Sequence, residues 1–239
     1  MNIKKPTLSS GAQFLMTILL LFLIYHLARQ AAMLTSVSSS AAASPAASPV
    51  VVLDSGHGGW DPGKVGIDGS LEKDLNLAIA LKLKNYLEAS GVTVIMTRDG
   101  DYGLYDERDS NKKSADMANR CKLINDAAPA LTVSIHQNSY HEEPIHGGQV
   151  FYYKKSQQGQ QLAEIIQKRF DYVQGQANTR VAKANDNYYL LLHVRSPIVI
   201  VECGFLSNAS DAANLNSEDY QDRLAWTIHM GIMEYLNTQ

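Results

Sequence analysis

The sequence predicts an α/β domain, a single layered unit with a largely parallel mixed sheet and helices on both faces, preceded by an N-terminal membrane anchor. Three observations predict it. From residue 50 onward, short β-branched runs alternate with stretches whose apolar residues recur at helical spacing. The first of these runs, Pro49–Asp54, is continuously apolar, as a strand buried on both faces requires. Several of them end in polar or glycine-rich loops, where α/β sheets place their ligands.

Each element follows from its residues. Pro49-Val-Val-Val-Leu-Asp54 reads as the first strand, and Leu71, Leu75, Ala78, Ile79, Tyr86 and Leu87 mark a helix over 71–89 that Gly91 closes. Val92–Thr97 is the second strand. A helix over 104–127 carries Met117, Cys121 and Ile124 in its stripe, and Leu131–His136 and Gly148–Tyr153 are the third and fourth strands. A helix over 156–173, a strand at Ile198–Glu202 and a last helix over 217–236 complete the domain, which spans 50–239.

Ahead of it, residues 1–34 read as a cytoplasmic start and a signal or membrane anchor. Lys4 and Lys5 precede the apolar run Phe14–Tyr25. Arg29, Gln30, Met33 and Leu34 occupy the place of a cleavage site, and the best small-residue site, Ala41–Ala43, lies far downstream, which favours an uncleaved anchor. Residues 35–49 are Ser-, Ala- and Pro-rich and read as a flexible linker. The domain is thereby placed outside the cytoplasm.

Composition narrows the function. A chain of 239 residues that is 45% hydrophobic and 19% charged is neither disordered nor fibrous. The first 49 residues carry a net +3 and the rest −6, which argues against nucleic acid as a partner. Cys121 and Cys203 alone build neither a disulfide framework nor a cysteine metal cluster.

The chemistry-bearing residues fall at strand ends. His57 lies in Asp54-Ser-Gly-His-Gly-Gly59, a loop lacking the lysine of a phosphate-binding loop. A loop histidine taken alone is more often solvated, and Glu72 alone also reads as an acidic first turn favoured by the helix dipole. His136 interrupts an apolar strand in Ser134-Ile-His-Gln-Asn138. Glu202 completes Pro197-Ile-Val-Ile-Val201, where a carboxylate must be paired, metal-proximal or functionally tuned. Two histidines and one glutamate from separate strand ends form the ligand set of a catalytic zinc that keeps a position for water, and a second carboxylate beside that water would be the general base.

The segments Asp54–Gly63, Leu71-Glu-Lys-Asp-Leu-Asn-Leu77, Thr97-Arg98, Ser134–Asn138 and Val201–Asn208 together resemble the zinc-dependent N-acetylmuramoyl-L-alanine amidases of the type 3 family. Within it, Ala182–Leu191 with Val201–Phe205 looks most like the germination-specific, spore-cortex amidases of endospore formers. The resemblance implies that His57, Glu72 and His136 hold zinc, and that Glu202 is the catalytic carboxylate for cleaving the bond between muramic acid and L-alanine. In a cortex enzyme the freed muramic acid would be the precursor of muramic lactam. Peptidoglycan is the implied partner, with an activator protein or a homodimer as further candidates. Ser55 stands where the family usually has Pro, and Gln137 and Ser139 replace smaller residues. The short stretch between His136 and Gly147 lacks a site-blocking helix, which implies an open groove.

Other residues carry weaker expectations. Arg98 would meet a peptide carboxylate or pair with Asp99 or Asp106, and Asn138 is a candidate substrate contact. Asn185, Asp186 and Tyr188 would touch substrate or structure their loop. His141 and His146 read as solvated, and His193 and His229 as surface or packing residues. A Cys203 nucleophile and a Cys121–Cys203 bridge are minor readings. The rival functions are a catalytically silent wall-binding module and a zinc peptidase cutting within the stem peptide.

Overall fold

The computed structural model describes residues 10–39, 48–175 and 178–239, without the side chains of 10–14 and 31–39. The chain divides into two compact units, Met1–Ala47 and Ser48–Gln239. In the first, helix α1 spans Ser10–Ser39, so it runs into the stretch expected to be a tether. Leu15, Leu21, Phe22 and Tyr25 expose more than 60% of their surface. Among the described residues no helix is long and apolar enough to cross a membrane. Lys4, Lys5, the Ala41–Ala43 site and residues 40–47 of the expected linker lie outside the described residues.

In the second unit the chain runs β1 (Val50–Ser55), α2 (Glu72–Ala89), β2 (Thr93–Met96), α3 (Lys112–Ala127), β3 (Leu131–Asn138) and β4 (Gln149–Tyr153). It continues through α4 (Gln157–Arg169), α5 (Asp171–Gln174), β5 (Lys183–Asn185), α6 (Tyr189–His193), β6 (Ile198–Phe205), α7 (Ala209–Leu215) and α8 (Glu218–Leu236). The six strands form one sheet in the order β2-β1-β3-β6-β4-β5. Pairs β2/β1, β1/β3, β3/β6 and β4/β5 are parallel, and β4 runs antiparallel to β6. The sheet is therefore largely parallel and mixed, with β1, β3 and β6 at its centre.

Strand alternation sends side chains to two cores. Val51 and Leu53 of β1, Val133 of β3 and Val199 and Val201 of β6 pack with Ile79 and Leu83 of α2, Leu162 and Ile166 of α4 and Ile228 of α8. Val52, Ile198 and Ile200 point the other way, onto Cys121 and Ile124 of α3 and Leu190 and Leu191 of α6. Each fully buried Leu, Ile or Val contributes roughly 1.5–3 kcal/mol of transfer free energy.

Three departures from the sequence reading bear on the site. Helix α3 starts at Lys112 rather than at 104, because the Asn111 side chain caps it by accepting from the Ser114 amide. Strands β3 and β6 continue past His136 and Glu202, so both residues sit within paired strands, and the β3/β6 register shifts between His136 and Asn138. The short β5, α6 and α7 did not show as periodic runs, since three to seven residues are too few to display a period.

Candidate metal centre

The site is built from the backbone of β1 outward. Asp54 and Ser55 end the strand fully buried, and Gly56 donates to the Ile135 carbonyl at 3.1 Å, keeping β1 against β3. A Cβ on Gly56 would stand 2.2 Å from the His136 ring, so only glycine fits there. The chain then turns through His57 at φ +62°, a left-handed conformation that a non-glycine residue adopts only when its surroundings hold it.

Two buried arginines do the holding. Arg120 of α3 donates to the carbonyls of His57 at 2.6 Å and Ser55 at 2.8 Å, and to the carboxylates of Asp54 and Asp116, each at 2.7 Å. Arg98 donates to the carbonyls of Ser55, Gly56, Lys73 and Gly100 at 2.7–3.0 Å. Asp54 also accepts from the hydroxyls of Thr97 at 2.7 Å and Ser134 at 2.6 Å. Burial alone would raise the Asp54 carboxyl, but Arg120 and these hydroxyls outweigh it and hold it at about 2.

Glu72 opens α2 at 2% exposure and is the centre of convergence. Its Oε1 lies 2.9 Å from His136 Nδ1, 3.2 Å from His57 Nε2 and 3.1 Å from the Gln137 amide that donates to it. Its Oε2 accepts from the Lys64 amide at 2.8 Å. Although burial opposes it, the two imidazoles pull the Glu72 carboxyl well below the usual range. Reciprocally, the Glu72 carboxylate raises His136 against the effect of its burial. His57, Glu72 and His136 offer donor atoms within 4.8 Å of one another.

Glu202 stands beside this group. It is the register partner of His136, 7% exposed, and burial pushes its carboxyl up to about 7, with His136 opposing and the Glu72 charge adding to the rise. Its Oε2 has no hydrogen-bond partner among the described residues. A buried carboxylate oxygen without a protein partner is costly unless something else occupies its face.

All four side chains line one cavity of about 460 Å3, shared with Asn138 and Tyr188. Asn138 is thus where a substrate contact would be. Arg98 is not. It is 1% exposed, lines no part of the cavity and spends its guanidinium on four backbone carbonyls, so the expectation that it meets a peptide carboxylate is corrected. Asn185 is also outside the cavity. Its Oδ1 accepts from the amides of Asn187 and Tyr188 at 2.8 and 2.9 Å, the loop-structuring alternative, which places Tyr188 at the cavity wall. Asp186 pairs with Lys154.

The remaining expectations resolve simply. His141, His146 and His193 are exposed, and His229 is buried against the Ser90 hydroxyl at 2.8 Å. Cys121 and Cys203 are free and buried, and burial raises both thiols, which suits neither a bridge nor a nucleophile. Residues 139–148 contain no helix, leaving nothing helical between β3 and β4 to cover the cavity.

Sequence reasoning missed two features. Asp61 takes His57 Nδ1 at 2.9 Å and fixes the ring from behind, and only its spacing four residues after His57 hinted at it. The Asp54–Arg120 pair joins residues 66 positions apart and left no local signal.

Comparison with known proteins shows the family. Residues 51–234 match the model of the type 3 amidase family, described as N-acetylmuramoyl-L-alanine amidase. The germination-specific N-acetylmuramoyl-L-alanine amidase of Bacillus subtilis is 39% identical over 189 residues, covering 78% of this chain and 79% of that protein. Among solved structures, the CwlD amidase of Clostridioides difficile in complex with the GerS lipoprotein superposes with a TM-score of 0.77 at 39% identity, covering 80% of this chain and all of that one. The catalytic domain of CwlV, an N-acetylmuramoyl-L-alanine amidase from Bacillus (Paenibacillus) polymyxa, gives 0.69 at 32% identity, covering 80% of this chain and 99% of that one. With its parallel-sheet core and the His57, Glu72, His136 and Glu202 cluster in one cavity, the chain belongs to the N-acetylmuramoyl-L-alanine amidase family of peptidoglycan hydrolases.

Proposed function

We propose that the protein hydrolyses the amide between N-acetylmuramic acid and L-alanine with a zinc ion held by His57, Glu72 and His136, and with Glu202 as the general base and acid. The observation that carries this reading is the convergence of His57 Nε2 and His136 Nδ1 on one carboxylate oxygen of Glu72. Two imidazoles and one carboxylate are a zinc donor set. Bound there, zinc supplies a Lewis acid for the amide carbonyl and makes water acidic enough to attack at neutral pH.

The chain's own groups account for the rest. Asp61 accepts from His57 Nδ1, which leaves Nε2 as the ligating nitrogen, and the Lys64 and Gln137 amides fix the Glu72 carboxylate. Glu202, with its unpartnered Oε2, accepts the proton of the attacking water and returns it to the departing amino group of alanine. Burial within β6 raises its carboxyl above the usual range, which favours proton uptake.

The protein acts outside the cytoplasm, on the wall, with residues 1–34 as its tether. In support stand the basic Lys4 and Lys5 ahead of the apolar run and the exposed apolar side chains of α1. A role in spore-cortex maturation rests on the 39% identity with the germination-specific Bacillus subtilis amidase, and a lipoprotein partner on the CwlD–GerS complex.

The test incubates the full chain with purified peptidoglycan, with zinc or with a chelator, and assays new N-terminal alanine and new muramic acid lacking peptide. Zinc-dependent release of both supports the reading. New amino groups on residues other than alanine would move it to a stem-peptide zinc peptidase, and no release would leave a silent binding module.

A further inference from the structure

The carboxylate-reading role expected of Arg98 is unfilled, because Arg98 is committed to backbone. Three arginine or lysine residues line the cavity, Lys64, Lys113 and Arg120. Arg120 is consumed by Asp54, Asp116 and two carbonyls. Lys64 and Lys113 are different. Both are exposed, and among the described residues neither ammonium has a hydrogen-bond or ion-pair partner. They come from separate elements. Lys64 lies in the loop before α2, where its amide holds Glu72, and Lys113 lies in the first turn of α3.

The position of Lys113 breaks a local rule. A helix dipole disfavours a cation in the first turn, yet α3 begins with two lysines and has no acidic residue there. Lys112 is compensated by an ion pair with Glu107, and Lys113 is not. A local rule broken beside a cavity, without a gain to the fold, points to function. Lys113 lines the same cavity as Asp61, so it stands at the site rather than on a remote face of α3. Of the carboxylates in the cavity, Asp54 and Asp116 are paired with Arg120, and Asp61 and Glu72 with the imidazoles, so among the described residues Lys64 and Lys113 are the lining cations left to receive an anionic group.

Resting on the amidase reading above, we propose that Lys64 and Lys113 form a subsite that receives a carboxylate of the substrate's peptide. The leaving half of that substrate is a peptide that starts with L-alanine and ends, as every unmodified peptide does, in a carboxylate. The two ammonium groups at the cavity draw it in and set its orientation. An exposed lysine–carboxylate contact carries modest energy, so the subsite selects among peptides rather than driving turnover.

The experiment measures kcat and KM of the zinc-loaded full chain on two muramoyl-L-alanyl peptides that differ only in a free or an amidated terminal carboxylate. Lys64→Ala, Lys113→Ala and the double variant are compared with wild type, and Lys155→Ala, outside the cavity, is the control. Each cavity substitution is expected to raise KM for the free acid by about threefold to fivefold, as exposed ion pairs allow. The amidated substrate starts at the higher KM and is not weakened further. Equal effects on both substrates, or an effect confined to zinc affinity through Asp61, overturn the subsite. Wild-type turnover with no difference between the substrates overturns it while leaving the amidase reading intact. No wild-type turnover on either overturns that reading and the subsite with it.

Discussion

Glu202 of β6 and His136 of β3 are direct register partners on adjacent parallel strands, so the sheet itself sets the separation between the proposed base and one proposed metal ligand. Neither residue depends on a loop for its placement. Rigid elements hold reacting groups more closely than loops do.

Glu202→Gln keeps the volume and removes the proton acceptor. Turnover on peptidoglycan is expected to fall by about 10²–10⁴-fold while zinc binding is retained. Activity within tenfold of wild type would show that another group takes the proton. The paired measurement is zinc stoichiometry after dialysis.

Glu72→Gln and His136→Ala each remove a donor from the three-residue cluster. Both are expected to lose stoichiometric zinc and activity together, and excess zinc is expected to restore Glu72→Gln in part, because an amide oxygen still coordinates weakly. A chelator titration followed by zinc addition checks it.

Gly56→Ala tests the close approach of β1 to the His136 ring. The added Cβ would fall 2.2 Å from that ring, so either the ring or the strand must move. Zinc affinity is expected to drop by at least tenfold even where circular dichroism shows a folded domain. Unchanged affinity would mean that the strand relaxes freely.

Arg120→Met leaves Asp54 buried with its main cationic partner gone. Breaking such a pair costs about 3–5 kcal/mol, seen as a lower denaturant midpoint. The His57 carbonyl loses its donor at the same time, so zinc affinity is expected to weaken as well.

Stability should depend on acid through Asp54. Its carboxyl lies at about 2 when folded against 3.8 ordinarily, a depressed value, so its contribution is complete above about pH 4 and is lost as pH falls from 3.8 toward 2. A difference of that size corresponds to about 2 kcal/mol. Denaturant midpoints taken across this range with chelator present throughout, so that metal release adds nothing, are expected to fall more steeply for wild type than for Asp54→Asn.

Of the four cluster residues, three were legible because each breaks a local rule, whereas Glu72 reads equally as an acidic first turn and entered only through the family resemblance. His136 and Glu202 are ionisable groups in apolar strands, and His57 lies among glycines. The roles of Arg98 and Asn185 were not legible. A guanidinium serves a carboxylate or a carbonyl equally well, and only the packing of β2 against β1 brings Arg98 to the Ser55 and Gly56 carbonyls. Likewise Asn185 bonds its own loop amides, a choice made by backbone turns that composition does not encode.

The sequence by itself determined the α/β class, the central strands and His57, His136 and Glu202 as candidates, since periodicity and ionisable side chains in apolar runs are properties of short segments. The tertiary structure decided which carboxylate sits between the imidazoles and which stays unpartnered. It also decided that Arg120, 66 residues from Asp54, secures the turn at His57. Distances between strand neighbours follow from sheet order and register, and β2-β1-β3-β6-β4-β5 is set by how the whole core packs rather than by any one segment.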